Sequence, residues 1–177
     1  MSFSFFILLF IVALLYATVG HGGASGYLAL MAIYGFAPDI MKPSALILNL
    51  FVSLTSFIMF FKAGHFKWKL FLPFALASIP FSFLGGTISL DAVIYKKVLG
   101  GLLLLPVIRF FFYPNPNETN LKEANLFLSL LIGTIIGFLS GLIGIGGGIL
   151  LSPILILLHW SNQKQTAAIS ALFIFVN

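Results

Sequence analysis

Long apolar runs occupy residues 3–19, 44–61, 70–88, 94–113 and 124–143. Each is close to the roughly 20 residues that a helix needs to cross about 30 Å of hydrocarbon. Two further apolar segments, 24–36 and 149–159, hold only thirteen and eleven residues. As helices they reach roughly 16–20 Å, so neither crosses alone. Both follow a glycine cluster, "VGHGG" at 19–23 and "IGIGGG" at 143–148, and both end in a short polar connection leading to an apolar run that starts with Ser-Ala-Leu.

These matches form an internal repeat. Gly20, Gly22 and Gly23 correspond to Gly144, Gly146 and Gly147, and Ser44-Ala45-Leu46 to Ser170-Ala171-Leu172, the second connection having gained two residues. The polar stretch "YPNPNETNLKEAN" at 113–125 cannot bury itself in lipid and separates the copies. The pattern predicts an all-α, polytopic transmembrane protein with glycine-broken short helices. Its first repeat covers 1–113, a polar inter-repeat loop 114–123, and a second repeat 124–177. Five segments in the first copy, an odd number, place the second copy upside down in the bilayer, the inverted-repeat plan of many transporters. The second copy lacks counterparts of roughly residues 50–113, so the domain is expected to be incomplete at its C-terminus.

Composition sharpens this picture. With 60% hydrophobic, 16% aromatic and 7% charged residues, the chain has too few charges to cover a soluble surface. The first run lacks a basic leader and continues into a glycine cluster, so it is expected to be a retained span of a multi-pass cell (inner) membrane protein. The net charge of +5 sits in short loops. Lys62, Lys67, Lys69, Arg109, Lys122 and Lys164 fall on one side of the predicted topology, and Lys42, Lys96 and Lys97 on the other. The richer side is expected to be cytoplasmic and to touch anionic membrane lipid, and no nucleic-acid partner is indicated. With no cysteine there is no disulfide, thiolate metal site or cysteine nucleophile.

Glycine lets the backbone leave a helix and approach a ligand. The helix that follows then begins with unpaired N–H groups and about half a positive charge, which suits an anion. Gly20, Gly22, Gly23, Gly144, Gly146, Gly147 and Gly148 are the candidate binding residues on this reading. The alternative is close helix packing, for which Gly20, Gly26, Gly133, Gly137, Gly141 and Gly144 offer small-xxx-small spacing. Asn49, mid-run, either faces a solvated cavity or makes an interhelical hydrogen bond, and Asn177 ends a similar run. His21, inside the first cluster, either donates to an anion or fixes a freed carbonyl. Thr18, Ser25, Ser152 and Ser170 read as packing hydroxyls, with Ser152 also placed to cap locally beside Pro153. Asp39, Asp91, Glu118 and Glu123 all lie in connections, so no span holds a carboxylate to couple a cation. No catalytic group, metal or cofactor is implied.

With "VGHGGASGYLAL", "SALILNL" and "GLIGIGGGILLSPILIL" in view, the chain resembles the sulfite exporter TauE/SafE family of membrane transporters over nearly its whole length. The first copy departs from the second at His21 and Ala24, where the second has Ile145 and Gly148. The resemblance implies a permease that moves small sulfur oxyanions such as sulfite or organosulfonates, usually outward. Its members typically carry a complete second copy. Two other readings remain: an intramembrane serine protease, from the "GASG" at 23–26, and a non-functional fragment of a permease. A homodimer is a further possibility, since a second copy of the chain would complete the site.

Overall fold

The computed structural model describes residues 3–18, 22–112 and 121–177, with the side chains of Thr18 and residues 109–112 left aside. Among them are eight helices: α1 (Phe3–Thr18), α2 (Ala24–Ile33), α3 (Pro38–Lys62), α4 (Trp68–Gly86), α5 (Ala92–Phe112), α6 (Leu126–Ile143), α7 (Gly148–Leu157) and α8 (Gln163–Val176). Three of them, α3, α4 and α6, are long and apolar enough to cross a membrane. The outward faces stay apolar, with Phe83 74%, Phe127 75% and Leu76 69% exposed. A face of that kind is at home in lipid and not in water.

Both short segments are short helices, as expected, but their successors begin earlier than the apolar pattern alone indicates. The α3 helix starts at Pro38, whose ring presets φ for a first helical position, so Ser44 lies inside the helix and not at its start. At the start of α8, Asn162 and Gln165 form a reciprocal capping box, with Gln165 N–H donating to Asn162 Oδ1 at 2.9 Å. That cap nucleates the helix upstream of Ser170. Asn125 caps α6 through the Leu128 N–H (3.0 Å), and Asp91 accepts from Val93 N–H (2.9 Å) at the start of α5.

The tightest packing joins α4 to α6. A Cβ at Gly133 would lie 2.7 Å from the Phe74 carbonyl oxygen, and one at Gly137 or Gly141 would collide with the carbonyl of Ser78 or Ser82. These three glycines are therefore the small-residue stripe that the spacing suggested, here pressed on backbone. Elsewhere α3 lies against α8, α2 against α3, and α7 against α8. Ser152 sits within α7, where its hydroxyl lies 2.7 Å from Ser170 Oγ and donates to Gly148 O at 2.9 Å. It is an interhelical hydroxyl rather than a local cap.

Candidate functional site

The two chain breaks meet at one side chain. Asn49, midway along α3 and 2% exposed, accepts from the Ala24 N–H at the first turn of α2 (3.0 Å). Its Nδ2 donates to Ile145 O in the break before α7, at a longer 3.4 Å. One amide thus ties together the starts of both short helices, using its acceptor on one and its donor on the other.

The breaks themselves are built on left-handed glycine. Gly23 (φ 88) precedes α2, while Gly144 (φ 83), Gly146 (φ 71) and Gly147 (φ 71) turn the chain between α6 and α7. Side chains rarely adopt that conformation, which answers why the repeated clusters hold glycine. Space is a second constraint. A Cβ at Gly22 would stand 2.5 Å from Asn49 Oδ1, and one at Gly146 would stand 3.1 Å from Asn49 Nδ2. Ile174 of α8 fills what remains, lying 2.9 Å from a Cβ at either of those glycines and 2.5 Å from one at Gly148. Gly147 is backed by Phe173 and Ile136, and Gly23 by the ring of Tyr27.

Gly22, Asn49, Gly146 and Gly148 are therefore brought together around Ile174, and Gly23 and Gly147 flank them. Gly20 and His21 lie outside the described residues. Asn177 stands apart from Asn49. With Gly144, Ser140 and Ser82 it lines an adjoining cavity of about 490 Å³. Ser82 Oγ donates to its backbone oxygen (2.9 Å) and its own Nδ2 donates to Phe173 O (2.9 Å). Asn177 Oδ1 and Ser140 Oγ are buried there with no hydrogen-bond partner among the described residues.

Three participants escaped the sequence reading. Lys42, read there only as a topology charge, lies on α3 against Gly144, 3.3 Å from Cβ to Cβ position. Its ammonium sits 5.1 Å from the centre of the Tyr95 ring, a cation–π distance. Tyr95 in turn donates to Ile143 O at 2.8 Å, holding the end of α6. Ile174 is the third, since an isoleucine in an apolar run carries no signal of its own. Ser25 of the "GASG" stretch donates to Tyr16 OH (3.0 Å), and neither His65 nor His159 bonds to it.

The neutral Oδ1 on the α2 start occupies a place where an oxyanion would be well received, because helix N-termini favour negative charge and offer bare N–H groups. The family model for the sulfite exporter TauE/SafE matches residues 5–177. The chain belongs to the sulfite exporter TauE/SafE family. This TauE/SafE member is 40% identical over 172 residues to a probable membrane transporter protein of Sinorhizobium fredii, covering 95% of the chain and 70% of that protein. It is 32% identical over 168 residues to a probable membrane transporter protein of Methanocaldococcus jannaschii, covering 89% of the chain and 62% of that protein. No solved structure matches it. The breaks around Asn49 thus belong to a membrane protein of a transporter family.

Proposed function

We propose that this TauE/SafE member is a permease, not an enzyme, for small sulfur oxyanions such as sulfite or organosulfonates, in the cell membrane, working by alternating access. The observation that carries the reading is Asn49, whose amide bridges Ala24 N–H and Ile145 O across both glycine breaks. An arriving oxyanion replaces the Asn49 oxygen at the α2 start. The displaced amide lets go of Ile145, and the two halves are then free to rock about the site. Short, glycine-interrupted helices in corresponding positions are the feature that points to such a site. The packing of the corresponding helices α3 and α8 on one another supports an inverted repeat with the site between its halves. Lys42, beside Gly144, supplies a positive charge near the break, and the membrane potential, about 2.3 kcal/mol per charge per 100 mV, favours outward movement of an anion.

The test is flux of labelled sulfite and of an organosulfonate through proteoliposomes, comparing the native protein with Asn49→Asp. The substitution keeps the shape and the acceptor for Ala24 but places a negative charge where the anion binds. Like charges about 4 Å apart repel by about 4 kcal/mol at an effective dielectric of about 20, so flux per inserted molecule is expected to fall by at least about tenfold. Native vesicles that pass neither anion, or an Asn49→Asp protein with native flux, overturn the proposal.

A further inference from the structure

Away from the glycine breaks, a cavity of about 600 Å³ opens between the start of α4, the segment before α6 and the turn between α7 and α8. Lys67, Lys69 and Lys122 line it, with Glu123 as the one carboxylate among the described residues around it, and Trp68 and Trp160 complete it. We propose that it binds the headgroup of an anionic phospholipid. Three ammonium groups against one carboxylate leave an excess of positive charge suited to a phosphodiester. Basic pockets between membrane helices on the side where Lys and Arg concentrate are where anionic headgroups dock.

The cavity is built rather than incidental. Lys122 is fixed by its own N–H, which donates to His159 O at 2.7 Å. His159 holds φ 59, a conformation that non-glycine residues seldom take, and the turn it makes leads straight into Trp160. Trp160 is 7% exposed and packs near Phe74 (6.2 Å between ring centres), forming a rigid wall. Trp68, by contrast, is 53% exposed and leans edge-on against Phe66 at 4.9 Å. A half-exposed tryptophan beside lysines is the arrangement of the membrane interface, where the ring sits at headgroup level.

Size selects the ligand. Cavities of about 300–1,000 Å³ hold drug-sized molecules, so this one exceeds what a three-oxygen anion fills. Just beyond the lining in sequence, Leu72 in α4 and Leu126 and Phe127 at the start of α6 are exposed, giving acyl chains an apolar surface to follow outward. A lipid held there staples three separate connections at one end of the molecule.

The chain has two tryptophans, and both line this cavity, so emission excited selectively from tryptophan rather than from the five tyrosines reports on it. Purified protein in zwitterionic detergent is titrated with phosphatidylglycerol, phosphatidylcholine, sodium phosphate or sodium sulfite. A saturable emission change is expected with phosphatidylglycerol only. Its half-point should move up by at least about tenfold in a protein carrying Lys67→Gln, Lys69→Gln and Lys122→Gln, each lysine contributing to attraction of an anionic lipid. Lys122→Gln alone should move it part of the way, and the paired Lys96→Gln and Lys97→Gln change, in α5, should not move it. No saturation with phosphatidylglycerol, an equal response to phosphatidylcholine, an equal response to free phosphate or sulfite, or native affinity in the triple variant each overturns the proposal. Because none of these variants touches Asn49, the outcome is independent of the transport reading.

Discussion

Gly147 carries two demands at one position. Its φ of 71 is left-handed, and a Cβ added to it would stand 2.8 Å from Phe173 and 2.9 Å from Ile136. Left-handed backbone alone costs an L-residue about 1–2 kcal/mol, and the crowding adds to that. Gly147→Ala is therefore expected to shift the start of α7 and reduce anion flux per inserted molecule severalfold. Gly101→Ala, where nothing lies within 4 Å, should leave flux unchanged. Parallel flux measurements on the two variants check this, and equal flux would show that the break tolerates a side chain. Gly133 is no neutral comparison, since its Cβ would press the Phe74 carbonyl. At this scale the sequence revealed the glycines and Asn49, because a polar group or a helix breaker stands out in an apolar run. It hid Lys42, Tyr95 and Ile174, whose placement depends on partners many residues distant and not on any local pattern.

Among the elements, α4 and α6 form the closest pair. Their backbones approach along Gly133, Gly137, Gly141 and Gly85, so the contact is made by main-chain atoms and leaves no room for a methyl group. Overpacking of this kind typically costs about 1–3 kcal/mol. Gly141→Ala is expected to lower the thermal unfolding midpoint in mild detergent by several degrees. Gly86→Ala, whose Cβ would meet only Gly141 O at an ordinary 3.9 Å, should not. Unchanged midpoints for both would mean that the helices can part at little cost. Hydropathy placed the helices themselves well, yet it misjudged where α3 and α8 begin. Those starts are set by Pro38 and by the Asn162–Gln165 capping box, polar and proline signals that lie outside the apolar runs.

For the molecule as a whole, the all-helical membrane architecture was legible from composition and run length. The meeting of the two breaks on Asn49 was not, because sequence periodicity says nothing of which helices become neighbours. By the positive-inside rule the α3–α4 connection is expected in the cytoplasm and the α2–α3 connection outside. In a chain without cysteine, His65→Cys should resist an impermeant thiol reagent in sealed cells, and Ala37→Cys should react. Labelling of position 65 from outside would reverse the assigned orientation. The packing of Ile174 and Asn49 between the breaks has an energetic meaning for a cell. A membrane stores work as an ion gradient, and any continuous thread of water through a protein short-circuits it. Between the two breaks, a branched hydrocarbon side chain and a neutral amide take up the space that such a thread would need. On the proposed transport reading, sealed vesicles holding the protein without substrate are expected to keep an imposed proton gradient, and its rapid collapse would show that the filled centre does not close the path.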